Sequence, residues 1–434
     1  MKLLVIQMKS RRRSRISLKN VAEASEGKIN SQEFLNSARQ RPQDFTRDRK
    51  MPFAMLVRFI LNMIKSSIQN CLDSFLEKTG QEDIHMKEQS FSEARQKIKW
   101  EAFRDLFKTI VDLIYTGYYE TWHGYRVSAI DGSKIQIPDD PYLRSYFGTL
   151  GKDNTAVTAQ ASALYDVYNK VLLDAQFEPL EIGERELAFR HIDELCNLPS
   201  FDKECVLYDR GYASFLLVEK SIGCNIHFVM RVKRGFNKSV DRLGNGDHSV
   251  YLHKKGHKDI KVRVIKFILP SGEVEALITD ITDKRMGINA FKKLYFKRWP
   301  IETKYDEIKN KLEVENFSGR TVNAIRQDFF VTMYMANVAA VACWEAQLDV
   351  DEERELKDNK YSYHVNVNHT IGTLKDRFIL AMLEPNPRIR RRLIRRIIFL
   401  MKECPPVPTR PGRSSPRNPS PRKAKFRHNR KSNC

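Results

Sequence analysis

The chain has no Cys-x-x-Cys pair among its 434 residues. Its seven cysteines, Cys71, Cys196, Cys205, Cys224, Cys343, Cys404 and Cys434, are scattered, which argues against a zinc site. An odd, irregular set also argues against a disulfide framework, and a reducing cytosol is the simple reading. Long apolar runs are lacking too. The longest charge-free apolar stretch, Phe329 to Trp344, contains Asn337 and falls short of the ~20 residues that span a bilayer. A buried core helix is expected there. Met1 to Met8 has too short an apolar stretch, and no cleavage site, for a signal peptide. Acid is in short supply: Asp+Glu number 54 against 75 Lys+Arg, a formal net charge of +21. That imbalance favours a polyanionic partner, whether DNA, RNA or an anionic membrane surface. Hydrophobic residues at 41% make the bulk globular, and the length suffices for two or three domains.

What is present divides by texture. Residues 1–50 are polar, with weak periodicity and an Arg11–Arg15 cluster that is either a DNA-touching arm or a solvated terminus. From Phe53 to Phe75 an apolar stripe recurs at helical spacing, and short helices are expected over 90–99 and 101–115. With a basic helix among them, they suit either a helix-turn-helix-like DNA-binding unit or a helical cap on the next domain. Strands follow: Arg126–Ile130 running into Asp131-Gly-Ser, then Lys134–Ile137, Ala156–Val167 and Lys170–Phe177. A helix over 184–196, a strand Cys205–Tyr208 ending at Asp209, a helix over 213–220 and a strand Ile226–Val232 complete the series. Three strands, helix, strand, helix, strand is the element order of a ribonuclease-H-like α/β domain. Three alternating stretches within 233–285 read as a small β insertion. Beyond it come the apolar helix, a basic amphipathic helix pair broken at Pro385-Asn-Pro387, and a Pro, Ser, Arg and Lys tail from Pro405 that reads as disordered.

The segment Tyr295-Phe-Lys-Arg298-Trp-Pro-Ile-Glu302 through Lys309 spaces a Tyr, an Arg, a Glu and a Lys three, four and seven residues apart. At about 100° per helical residue these side chains fall within roughly 60° of one another. Pro300 complicates that face. It is welcome at a first helical position and costly inside a helix, so Tyr295 and Arg298 either precede a helix or lie on a kinked one. Phosphodiester cutting by two Mg²⁺ ions needs carboxylates on rigid elements. Asp131 at the end of the first core strand, Asp209 at the end of the fourth and Glu302 on the late helix are so placed. Each alone has a plainer role: Asp before Gly-Ser, or in Asp-Arg-Gly, is a common turn residue, and Lys- and Glu-rich helices produce such charge sets often.

The Tyr295 to Lys309 spacing closely resembles the signature region of the insertion-sequence four (IS4) group of DDE transposases. Ile130-Asp131-Gly-Ser resembles the first-aspartate motif of that group, and Leu207-Tyr-Asp209-Arg-Gly-Tyr-Ala-Ser its second. The likeness spans roughly Phe53 to Arg417, including Val367-Asn-His-Thr and Arg410-Pro-Gly-Arg-Ser-Ser-Pro-Arg417. It implies a cut-and-paste transposase with an α/β, ribonuclease-H-like catalytic core interrupted by a β-rich insertion, with helical N-terminal and C-terminal regions. The expected organisation is a polar, flexible segment 1–50 and a helical DNA-binding region 51–122. Core parts 123–232 and 286–347 flank the insertion 233–285, followed by a helical region 348–404 used in dimerisation and the basic tail 405–434. Asp131, Asp209 and Glu302 are then catalytic and hold two Mg²⁺ ions, with Mn²⁺ able to substitute. Tyr295, Arg298 and Lys309 hold phosphates, Arg210 is a further phosphate contact, and Trp299 either stacks on an unpaired base or packs. The implied partners are double-stranded DNA, as inverted-repeat ends and target, and a second copy of the chain on paired ends, with no membrane. The implied setting is a prokaryotic cytoplasm, on the nucleoid when DNA-bound. A non-catalytic DNA-binding protein, or a metal-dependent nuclease without strand transfer, would share much of this sequence. The charge balance yields a prediction: binding to duplex DNA weakens steeply as salt rises from 50 to 200 mM in a filter-binding titration. A flat salt response would contradict the basic-surface argument.

Overall fold

The computed structural model describes residues 14–47, 49–151, 155–197, 203–355 and 361–409. Most of the Arg11–Arg15 cluster, the Arg410–Arg417 stretch and nearly all of the basic tail lie outside the described residues. The chain forms two compact units. One comprises residues 120–134 and 159–306; the other comprises 1–119, 135–158 and 307–434.

The 120–134 and 159–306 unit is built on a mixed sheet. Its strands are β1 (Arg126–Gln136), β3 (Ala156–Asp166), β4 (Val171–Pro179), β5 (Glu204–Tyr208), β6 (Ile226–Val232), β7 (Gly246–Leu252), β8 (Ile260–Ile268) and β9 (Val274–Thr279). They lie in the order β4-β3-β1-β5-β6-β9-β8-β7; the short β2 (Thr149–Leu150) pairs with the first residues of β3. β1 runs parallel to β5, and β5 to β6, whereas the pairs β3–β4, β6–β9, β8–β9 and β7–β8 are antiparallel. The five residues of β5 are all buried, as expected of a central parallel strand covered on both faces. The helices Glu184–Asn197, Phe215–Gly223 and Ile288–Phe296 pack on β4, β6 and β8. The first of them turns Leu187, Ala188, His191, Ile192 and Leu195 inward, an apolar stripe at helical spacing.

The β-rich stretch forms β7, β8 and β9, which continue the sheet from the β6 edge. Three expectations change here. Asp131 does not end a strand. β1 continues through Asp131-Gly-Ser to Gln136, although its pairing with β5 stops at Ala129. Gly132 and Ser133 resemble a turn in sequence, yet both also fit extended backbone. Cys196 and Cys224 form a disulfide, with Cα atoms 5.9 Å apart. Their separation of 28 residues left nothing local to read. Finally, 1–50 is not featureless, since it carries the helices Leu18–Ile29 and Gln32–Ala38. Ser17 and Ser31 cap these helices, and Leu18, Val21, Ala22, Ile29, Phe34 and Ala38 are buried.

The other unit is mainly helical. The apolar stretch lies in Val322–Glu355, which packs against Glu101–Ile114 and also against Leu18–Ile29, Val367–Leu383 and Pro387–Glu403. Among the described residues it alone is long and apolar enough to cross a membrane, and its apolar window is 83% buried within the protein. The helix Pro387–Glu403 begins at an Asn386 cap and buries Ile394, Ile397, Ile398 and Met401, leaving Arg388, Arg391, Arg392, Arg395 and Arg396 exposed. Arg95, buried at the end of Glu88–Arg95, bonds Gln327 Oε1 and Asp328 Oδ1 at 2.6 Å each and the Ala324 carbonyl at 2.9 Å. Removing one partner of such a pair leaves an uncompensated buried charge. Asp328→Ala is therefore expected to cost about 3–5 kcal/mol in urea unfolding; a loss below about 1 kcal/mol would show that the pair does not hold these helices together.

Candidate active site

Each acidic residue reaches the site by a different route. β5 is followed at once by Asp209, which opens the short 3-10 turn Arg210–Tyr212. Asp131 lies on β1, two residues beyond the last β5 pair. Glu302 lies in the first turn of the helix Pro300–Asp306. Pro300 starts that helix, as its fixed φ and missing N–H favour. The preceding helix ends at Phe296, and Lys297–Trp299 form a turn in which Arg298 N–H bonds the Tyr295 carbonyl at 3.0 Å. Tyr295 and Arg298 thus stand before the Glu302 helix instead of on it.

The turn aims Arg298 at the carboxylates. Its Nη2 lies 3.2 Å from Glu302 Oε1 and 4.0 Å from Asp209 Oδ1, with the side chain 7% exposed. Burial works against its charge, but Tyr295, Asp209, Asp131 and Glu302 raise its pKa further still. The Tyr295 hydroxyl donates toward the Tyr208 carbonyl at 3.3 Å and Asp209 Oδ1 at 3.4 Å. Burial pushes the Tyr295 phenol upward, so it remains a donor. Burial likewise raises the Asp131 carboxyl to about 6; Arg298 and the Gly132 N–H oppose this, while Glu302 and Glu184 add to it.

The Asp131 backbone is pinned as well. Its carbonyl accepts from the Tyr305 hydroxyl at 2.8 Å and from Ser162 Oγ at 3.3 Å. Ser162 Oγ meets His191 Nε2 at 3.0 Å, and His191 Nδ1 meets Asp174 Oδ2 at 2.7 Å. Ser162, His191 and Asp174 are all buried and bonded to one another, so this Ser–His–Asp chain acts as an internal brace.

Asp131, Asp209, Glu302, Tyr295 and Arg298 therefore share one unit and act on one another electrostatically. Lys309 falls in a π-helical turn, Glu307–Lys311, which belongs to the other unit. The expected seven-residue step is not one continuous α-helix. Arg210 is exposed on its turn, and Trp299 is 43% exposed with the Arg298 guanidinium 5.6 Å from its ring centroid. Two residues were not read from the sequence. Glu184, at the start of its helix, lies against Gly132, where a Cβ would come within 2.9 Å of Glu184 Cδ. Tyr212 follows Asp209 by three residues and feels Asp131, Glu184 and Asp209. Only Tyr212 had a local signal, the Asp-Arg-Gly-Tyr run; Glu184 is delivered by the fold. Carboxylate oxygens are the donors a hard divalent cation takes. Among the described residues, no three His, Cys, Asp or Glu side chains are grouped closely enough to hold a metal as they stand.

A family model described as the transposase DDE domain matches residues 122–338, half of the chain. Over 290 residues the chain is 27% identical to the transposase InsG for insertion sequence element IS4 of Escherichia coli strain K12, covering 62% of this chain and 64% of that protein. Over 132 residues it is 30% identical to InsZ of the same strain, covering 29% of this chain and 42% of that one. The chain thus spans less than two thirds of either relative. Among solved structures, a piggyBac transposase synaptic complex with hairpin DNA gives a TM-score of 0.45 at 10% identity, over 91% of this chain and 87% of that chain.

The raised Asp131 carboxyl fixes the sign of a pH effect. A group whose folded pKa exceeds its unfolded value favours the folded state only while protonated. Its contribution is full below about pH 4 and lost as pH rises through about 6. Asp131→Asn, always neutral, is expected to melt higher than the parent at pH 8 in EDTA, by on the order of 1–3 kcal/mol, with no gain near pH 4. A gain equal at both pH values would show that the carboxyl's charge is not the cause.

Proposed function

This chain belongs to the DDE transposase domain family, in its IS4 group, and from that premise we propose that it cuts DNA at the ends of an insertion sequence and joins those ends to a target. The observation that carries the proposal is that Asp209 and Glu302 both approach Arg298, whose charge also acts on Asp131, within one unit. The order β4-β3-β1-β5-β6, with β1, β5 and β6 parallel, supports a ribonuclease-H-like core.

In this reading Asp131, Asp209 and Glu302 would hold two Mg²⁺ ions, for which Mn²⁺ could substitute, and such ions would supply a lowered pKa for water and an offset to charge on the phosphate. The protein's own residues do the rest. Water attacks the phosphodiester at the transposon end, leaving a 3′-hydroxyl and a 5′-phosphate. The 3′-hydroxyl then attacks a second phosphate and displaces its leaving oxygen. Arg298 presents a fork of donors matched to two phosphate oxygens. Tyr295, held at Asp209, donates beside it, and Lys309 and Arg210 add positive charge along the strand. Trp299, exposed next to Arg298, offers a stacking face for an unpaired base. The helices within 51–122 bind the ends, those within 348–404 pair two copies, and the exposed arginines of Pro387–Glu403 track the backbone. The setting is a prokaryotic cytoplasm.

The test is cleavage of DNA carrying the flanking ends of the encoding element. Cutting at the ends is expected with Mg²⁺ and not with EDTA, and Asp131→Ala, Asp209→Ala and Glu302→Ala should each lower the rate ~10³-fold or more. Sequence-specific binding with no cutting would mark a non-catalytic DNA-binding protein. Cutting without joining, on DNA lacking the ends, would mark a nuclease.

A further inference from the structure

Tyr212 is 3% exposed, and its hydroxyl has no hydrogen-bond partner among the described residues. Buried hydroxyls are almost always partnered, so an orphan calls for an explanation. Burial acts most strongly on its phenol, and the charges of Asp131, Glu184 and Asp209 act on it as well, yet among the described residues no acceptor takes its proton. The position is also fixed. Tyr212 closes the 3-10 turn that begins right after Asp209, its N–H bonds the Asp209 carbonyl at 3.0 Å, and its ring lies 6.4 Å from that of Tyr208. A donor is thereby held at a set distance in sequence and space from a proposed catalytic carboxylate. The carboxylates beside it are acceptor-only when ionised. Arg298, the cation among them, is engaged with Glu302. Phosphodiester oxygens entering this site would need neutral donors as well as cations.

We propose that the Tyr212 hydroxyl donates a hydrogen bond to a non-bridging oxygen of the phosphodiester being cut, as a further catalytic residue. The inference rests on the strand-cutting reading above. The hydroxyl is orphaned in the chain alone because its acceptor arrives with the DNA. The phenol stays protonated throughout and transfers no proton; it orients one oxygen of the phosphate and takes up part of the charge that grows there. A purely structural tyrosine in this position would instead bond a neighbouring carboxylate or carbonyl, as Tyr305 does.

Tyr212→Phe removes the hydroxyl and keeps the ring. In the full chain with Mg²⁺ and end-carrying DNA, cleavage is expected to slow about 10- to 100-fold. Thermal melting should not fall below the parent value, because nothing among the described residues bonds the lost group, and DNA affinity should fall far less than the cleavage rate, because one hydrogen bond is a small share of the many phosphate contacts. The deciding arm uses the two phosphorothioate diastereomers at the cut phosphate. For one of them, the rate penalty of sulfur should shrink in Tyr212→Phe relative to the parent, since the contact it disturbs is already gone. A Tyr212→Phe chain that cuts at the parent rate overturns the inference. So do sulfur penalties unchanged for both diastereomers, whatever the melting temperature does, because a slower variant would then owe its loss to altered packing or to an ordered water. Asp131→Ala separates the two levels. If it cuts normally, or if the parent does not cut at all, the strand-cutting reading falls and takes this inference with it. If the parent cuts, Asp131→Ala does not and Tyr212→Phe equals the parent, only the role of Tyr212 falls.

Discussion

One guanidinium makes the acidic site possible. Arg298, 7% exposed, lies 3.2 Å from Glu302 and 4.0 Å from Asp209, and its charge reaches Asp131. Carboxylates that share a partly dry setting favour the neutral form of one of them, and a cation among them opposes this. Burial pushes the Asp131 carboxyl up to about 6, with smaller contributions from Glu302 and Glu184. Were Arg298 removed, burial and the neighbouring carboxylates would push it higher still. The turn at Lys297–Trp299 separates two helices and lets the arginine meet both Asp209 and Glu302, the latter in the first turn of the next helix. A cation and its carboxylates are thus set by three short segments whose geometry is determined by Pro300, by the end of β5 and by the run of β1.

The scaffold explains why those segments hold still. β5, wholly buried between β1 and β6, delivers Asp209 at its end. β1 overshoots its pairing with β5, and the overshoot carries Asp131. Its carbonyl is tied by Tyr305 and by Ser162, which is braced through His191 to Asp174. A fully paired buried polar chain of this kind orders its neighbourhood, because each broken bond would strand a partner away from water. Glu184, from a helix start, lies against Gly132, and Tyr212 closes the turn after Asp209.

Much of this was legible in the sequence wherever the signal was local. The apolar run Cys205–Tyr208 before Asp209 reads as a buried strand and is one. The alternation over 260–268 and 274–279 reads as strand and is strand, although only the fold shows that it joins the main sheet. Pro300 reads as a helix start or a kink, and the structure makes it a start. Asp131-Gly-Ser misleads because the residues that make turns also tolerate extension, and what extends β1 here comes from elsewhere in the chain. The helices over 18–38 were missed because their buried residues are few and interleaved with polar ones. Glu184 beside Asp131, and Cys196 beside Cys224, are contacts between distant residues for which no spacing rule exists.

The central claim is that Asp131, Asp209 and Glu302 together take up a divalent cation. Loading the full chain with Fe²⁺ in place of Mg²⁺, then adding ascorbate and peroxide, generates hydroxyl radicals that cut the polypeptide next to the metal. The account predicts cuts beside all three residues, suppressed by excess Mg²⁺ and lost in Glu302→Ala. Cuts confined to other segments, or cuts beside the three residues that persist unchanged in excess Mg²⁺ and in Glu302→Ala, would contradict it.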